Sequence, residues 1–185
     1  MDIEKIVDKY FEIALNACRN INKTEILNIY NRIIAANEVG GKIYICGNGG
    51  SASTALHFQN DLNMSFAISK NTMPAYCLTA NIATLTALAN DFSYEDIFLN
   101  QLKILLNESD ILIAISGSGN SVNVLKAAEY AKQKGNTVIS LSGFDGGKLK
   151  ALSDYSLHIP VNNMQISEDM HLLCCHLIST MIREN

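Results

Sequence analysis

The order of apolar and polar positions divides the chain into two unequal parts. Over the first forty residues the period is helical: Ile6, Tyr10, Phe11, Ala14 and Cys18 share one face, and Ile26, Leu27, Tyr30, Ile33 and Ile34 repeat the pattern after a break at Asn20–Thr24. This spacing predicts a helical hairpin over 1–40. From Gly41 onward, short apolar runs alternate with helical stretches. Strands are expected at 42–46, near 75–79, and at 110–115, 137–142 and 155–160; helices are expected from about 51, near 81–89 and 94–106, at 121–134 and from about 166. Gly135–Asn136 stops one helix and Asp145–Gly146–Gly147 makes a turn, both suited to left-handed backbone. Such alternation is that of a doubly wound α/β fold, a parallel sheet with helices on both faces. No linker, repeat array or low-complexity tract interrupts it, so 1–185 reads as one domain with its α/β core at 41–185.

Two of the loops carry the chemistry. Ile43–Cys46 runs into Gly47-Asn48-Gly49-Gly50-Ser51, and Ile111–Ile115 runs into Ser116-Gly117-Ser118-Gly119-Asn120-Ser121, each at the carboxyl end of an expected strand and opening a helix. Free N–H groups of a helix's first turn, the positive end of its dipole and uncharged hydroxyls converge there on an anion. Neither loop carries the Lys-Ser/Thr pair of a nucleotide-binding P-loop, nor the third glycine of a dinucleotide turn. A sugar phosphate is the expected ligand.

His57 and Asp61 lie four apart on the helix after the first turn and project from one face, where they could chelate a metal or relay a proton. The final helix carries Glu168, Asp169, His171 and His176 among nearly continuous apolar residues, which predicts burial on several sides. His176 acquires a functional role if His57 faces it. Glu168 and His176 are eight residues apart, about 12 Å along a regular helix, so one metal holds both only if the helix starts between them or one ligand comes from a neighbouring chain. Asn90–Asp91 reads as a left-handed helix cap plus a carboxylate that could accept hydrogen bonds from sugar hydroxyls. His158 reads as structural.

Composition narrows the classes of partner. With 48% hydrophobic and 17% charged residues the chain is globular, and a net charge of -4 without a Lys/Arg run leaves no basis for binding nucleic acid. Apolar stretches are interrupted within about ten residues, too short for a bilayer, and the acidic start Met1-Asp2-Ile3-Glu4 is not that of a signal peptide. Five cysteines, odd in number and without CxxC spacing, predict reduced thiols in the cytoplasm rather than disulfides or a zinc ribbon.

Taken together, Cys46-Gly47-Asn48-Gly49-Gly50-Ser51-Ala52 with His57-Phe58, Ala89-Asn90-Asp91-Phe92, Ile115–Ser121, Asp145-Gly146-Gly147-Lys148 and the stretch from His171 to His176 resemble the phosphoheptose isomerases, a branch of the sugar isomerase (SIS) domain. The resemblance implies a flavodoxin-like core and a homotetramer in which the N-terminal helices serve oligomerisation and the active sites lie between subunits. It also implies conversion of the phosphorylated ketose sedoheptulose 7-phosphate into D-glycero-D-manno-heptose 7-phosphate, for lipopolysaccharide or capsule, often with one zinc per subunit. Carried over by position, Asn48, Gly49, Gly50, Ser51, Asn90, Asp91, Ser116, Gly117, Ser118, Ser121 and Glu168 would bind substrate. His57, Asp61, Glu168 and His176 would hold the metal, with Asp61 and His176 as the catalytic pair. The family usually has glutamate at Asp61, glutamine at Glu168, arginine at Ser65 and Ser-Thr-Ser at Ser116-Gly117-Ser118. These departures leave two alternatives beside the isomerase: an isomerase or binding domain for another sugar phosphate, and a non-catalytic SIS-domain partner protein of the replication-initiation kind.

Overall fold

The computed structural model describes residues 2–69 and 73–185, so Met1 of the expected N-terminal helices lies outside the described residues. Two helices, α1 (Ile3–Arg19) and α2 (Lys23–Glu38), precede the first strand, β1 (Ile43–Cys46). Then follow α3 (Gly50–Ile68), β2 (Ala75–Cys77), α4 (Ile82–Asp91), a 3-10 turn at Tyr94–Asp96, α5 (Ile97–Leu105) and β3 (Ile111–Ser116). The chain closes with α6 (Val122–Gln133), β4 (Thr137–Ser142), α7 (Gly147–Leu152), β5 (Tyr155–His158) and α8 (Met164–Glu184). The expected turn at 145–147 therefore opens a short helix that the apolar spacing did not signal.

All strand pairs are parallel, and their order is β2-β1-β3-β4-β5. This is the flavodoxin-like doubly wound sheet, whose strand order reverses between β1 and β3 and leaves a crevice at their carboxyl ends. Side chains alternate across it with period two. Ile43, Ile45, Ile111, Ile113, Ile139 and Leu157 face one core with Ile29 and Ile33 of α2, Phe58 and Leu62 of α3, and Cys174, Cys175 and Ile178 of α8. Tyr44, Leu112, Ala114 and Val138 face the other, against Phe98 and Leu102 of α5 and Val124, Ala127 and Ala131 of α6.

The two N-terminal helices are placed differently. α2 supplies core residues, whereas α1 has none buried and rests on α8 through Ile13, Ala14 and Ala17 and a Tyr10 hydroxyl that donates to Asp169 at 2.6 Å. Ile3, Ile6, Val7, Phe11 and Leu15 stay exposed in the single chain. Among the described residues no helix is long and apolar enough to cross a membrane, and all five cysteines are free, with only Cys18 exposed.

Candidate active site

Both Ser/Gly turns sit where the strand order reverses, the first between β1 and α3, the second between β3 and α6. A cavity of about 230 Å³ separates them, lined by Asn48, Gly49, Gly50 and Ser51 on one side and by Ser116, Gly117, Ser118 and Ser121 on the other. The structure thus brings the predicted phosphate-binding residues together, with the N-termini of two long helices aimed at one space. Ser116 and Ser121 share a hydroxyl contact of 3.1 Å, and the Ser118 hydroxyl accepts from the Asn120 amide at 3.2 Å. Gly119 holds φ at +65°, and a Cβ there would strike the Gly146 carbonyl. The loop after β4 and the helix α7 close on the turn in return: Gly143 N–H donates to the Gly117 carbonyl at 2.8 Å and Leu149 N–H to the Gly119 carbonyl at 3.0 Å.

One residue of this site escaped the sequence reading. Asn123, 2% exposed, forms a reciprocal amide pair with Asn48, each Nδ2 donating to the other's Oδ1 at 2.8 and 2.9 Å. The Tyr94 hydroxyl donates to the same Asn48 oxygen at 2.9 Å. The first turn and the start of α6 are tied side chain to side chain, which leaves Asn48 one amide hydrogen for a ligand. The available signal was a polar residue within the buried stripe of α6 that runs through Val124, Ala127, Ala128 and Ala131.

His57 and Asp61 on α3 meet His176 on α8. The two Nε2 atoms stand 3.0 Å apart, and Asp61 Oδ2 lies 3.3 Å from His57 Nε2 and 3.6 Å from His176 Nε2. Among the described residues these three form the one group of His, Cys, Asp and Glu whose donor atoms all lie within 4.8 Å of one another. Ligand atoms of a tetrahedral cation at about 2.0–2.2 Å stand roughly 3.3–3.6 Å apart, so the triangle needs little adjustment to hold one. Half the surface of each imidazole is open to solvent, which leaves room for substrate.

The other predicted residues fall elsewhere in the protomer. Glu168 does not join the three: α8 is unbroken from Met164 to Glu184, and Glu168 lines the cavity of the serine turns, where a Cβ on Gly50 would meet its carboxylate. The helix therefore does not start between Glu168 and His176, and the two cannot share one ion within a chain. Burial, aided by the neighbouring Asp169, raises the Glu168 carboxyl above the usual range. Asn90 and Asp91 are exposed at the end of α4 and bonded to each other at 2.8 Å. They do not line the cavity of the serine turns, and the expected left-handed cap is absent: Phe144 is the one non-glycine residue with positive φ among the described residues. His158 holds a structural place, between the Phe144 carbonyl at 3.1 Å and Lys150 at 3.0 Å.

This arrangement has close counterparts among known proteins. The SIS domain family matches residues 9–143. A phosphoheptose isomerase of Helicobacter pylori is 44% identical over 153 residues, which are 83% of this chain and 80% of that protein. The phosphoheptose isomerase of Francisella tularensis superposes with a TM-score of 0.93 at 33% identity over 100% of both chains. That of Neisseria gonorrhoeae superposes with a TM-score of 0.91 at 30% identity over 99% of this chain and 100% of its own. Identity at this level across the full length of the fold, with the serine turns and the His–Asp–His group assembled in it, leads to one conclusion: the chain belongs to the phosphoheptose isomerases of the SIS-domain family.

Proposed function

We propose that this enzyme interconverts sedoheptulose 7-phosphate and D-glycero-D-manno-heptose 7-phosphate in the cytoplasm, with the phosphate on the two serine turns and the sugar's C1–C2 end at Asp61 and His176. The observation that carries this reading is the convergence of His57, Asp61 and His176 on the same helix pair, α3 and α8, that borders the phosphate cavity. A binding protein has no need of an acid/base group on the helices that frame its anion site. Relatives named for this activity supply the substrate class.

The chemistry follows from the residue types. Asp61 takes the proton from C1 of the ketose, the C1–H electron pair becomes the C1=C2 bond, and the carbonyl electrons move to O2, which gains a proton. The enediol then loses the O1 proton, its electrons form the C1 carbonyl, and the proton on Asp61 returns to C2. His176 moves the proton between O1 and O2, since a neutral imidazole both accepts and donates. His57, Asp61 and His176 have the donor set and spacing for zinc, which when bound would polarise the substrate's oxygens. As Glu168 cannot reach this group within one chain, we assign it as a fourth ligand or substrate contact across a subunit boundary, in a homotetramer with sites between protomers. Asn90 and Asp91, exposed at the end of α4, are assigned to the sugar in that assembly.

The test is incubation of the purified protein with sedoheptulose 7-phosphate, product being followed by NMR. Appearance of the aldoheptose phosphate is expected, and its absence with metal-replete protein overturns the assignment. His57→Ala and His176→Ala should each lose bound metal by elemental analysis as well as turnover, and Cys174→Ser neither. Asp61 is one carbon shorter than glutamate and Ser65 is uncharged, which favours a second reading, isomerisation of a different ketose phosphate. Turnover of a five- or six-carbon ketose phosphate in preference to the heptulose would select it.

A further inference from the structure

A second cavity, of about 270 Å³, opens beside the His–Asp–His group, between the exposed ends of α3 and α8. Its walls are two matching stripes. Residues 57, 60, 61 and 64 of α3 face residues 176, 179, 180 and 183 of α8, each at the i, i+3, i+4, i+7 spacing of one helix face. The stripes are unequal in polarity in a way that matters. The Ser179 hydroxyl is buried without a hydrogen-bond partner, and such a group is expected to have one. Arg183 has one polar contact, a 3.5 Å approach to Thr180 Oγ1, and no carboxylate within 4.0 Å among the described residues. Asn60 donates only weakly, at 3.4 Å, to Asp61 Oδ1. The cavity therefore holds unpaired donors and one carboxylate that the two histidines already face.

We propose that Ser179 and Arg183 form an oxyanion subsite that binds the negatively charged oxygen at the C1–C2 end of an acyclic sugar phosphate, adjoining the acid/base group. The inference rests on the isomerase reading for its substrate. When Asp61 removes the C1 proton, negative charge develops on the carbonyl oxygen. Fixed donors aimed at that position stabilise the enediolate more than the neutral ketose, and so lower the barrier rather than tighten substrate binding. Arg183 brings charge and a planar fork, while Ser179 brings a hydroxyl that has no other partner to give up. Ser65 stands on the opposite wall and carries no charge, so the cavity's cation comes from α8 alone.

Calorimetric titration with two probes tests the proposal: a heptonate 7-phosphate, which ends in a C1 carboxylate, and the corresponding heptitol 7-phosphate, which ends in a C1 hydroxyl. The native protein should bind the heptonate at least about tenfold more tightly, as charge-assisted hydrogen bonds imply. Arg183→Met and Ser179→Ala should each remove most of that preference with unchanged metal content and unchanged binding of inorganic phosphate, while Arg183→Lys retains part of it. In turnover, Arg183→Met should lower kcat more than it alters KM. An unchanged heptonate-to-heptitol ratio in both variants overturns the subsite and leaves the isomerase reading standing. A ratio that collapses in the variants of a protein that turns over no ketose phosphate upholds the subsite and overturns the isomerase. Arg183 is exposed, so its variants test the idea even if Ser179→Ala fails to fold.

Discussion

At the scale of single residues, buried polar groups decide where the protein is sensitive. Asn123 is the clearest case, since its side chain satisfies Asn48 and orients it. Asn123→Ala leaves the Asn48 Nδ2 without its partner and its Oδ1 with the Tyr94 hydroxyl alone, at a cost of about 1–3 kcal/mol in stability. It should also raise KM for the sugar phosphate roughly tenfold, because a misoriented donor costs binding at the site it serves. Urea melts and steady-state kinetics on the same sample separate the two effects, and a stability loss with unaltered KM would assign Asn123 to folding alone. His171 behaves differently. It is fully buried in α8, and desolvation, offset only in part by the Ser142 backbone, pulls its pKa down to about 4. The unfolded chain then binds the proton near pH 6.5 and the folded one does not, so stability is complete at neutral pH and falls as pH drops through the window from about 6.5 to about 4. This one group should withdraw about 2 kcal/mol between pH 7 and pH 5. His171→Gln should flatten that limb of the urea-midpoint profile, and an equal slope in the variant would locate the acid sensitivity elsewhere.

At the scale of elements, the phosphate turn is held by a neighbour distant in sequence. Gly143 of the loop after β4 and Leu149 of α7 each donate a backbone hydrogen bond to the Ser116–Ser121 turn, and the Gly146 carbonyl occupies the space a Cβ at Gly119 would need. Gly119→Ala combines a left-handed φ of +65° with that collision. It should cost more than the roughly 1 kcal/mol of a strained alanine alone and weaken inorganic phosphate binding with it. Ser121→Ala, which removes a hydroxyl from the same turn without disturbing the backbone, should weaken phosphate binding at unchanged melting temperature. Calorimetric phosphate titration of both variants checks the pair. Equal phosphate affinity in Ser121→Ala would remove that hydroxyl from the site.

At the scale of the whole molecule, α1 and α8 carry the unanswered surface. Ile3, Ile6, Val7, Phe11 and Leu15 make α1 an amphipathic helix whose apolar side faces solvent in the single chain. Burial in a homotetramer would cover it, since exposed apolar patches of this kind mark interaction surfaces. Sedimentation should give a tetramer at micromolar concentration, and Ile6→Asp with Phe11→Asp should dissociate it. Assembly also makes the Glu168 assignment testable. If Glu168 serves the His57–Asp61–His176 group of a neighbour, mixing inactive Glu168→Ala and His176→Ala chains should restore activity, because some sites in the hybrids are complete. Mixtures no more active than either parent would place all four residues' functions within one chain.

The sequence by itself determined the doubly wound α/β architecture, the two serine turns and the pairing of His57 with Asp61. Each of these is local: strands and helices follow from periods of two and 3.6, glycine and serine mark a turn wherever they sit, and i,i+4 neighbours share a face by helix geometry alone. The short helix α7 was missed because Gly146–Gly147 is at once a turn signal and a helix start, and six residues carry too little periodicity to tell the two apart. Expectations for Asn90 failed for a related reason, since a residue suited to left-handed backbone adopts it only where tertiary packing asks for it. Only the tertiary structure decided that His176 meets His57, that Glu168 sits at the phosphate cavity instead, and that Asn123 reaches Asn48. The two side-chain contacts join residues 119 and 75 positions apart. Their existence depends on how α3, α6 and α8 pack on the sheet, and no local spacing records the angle and depth at which one helix lies against another.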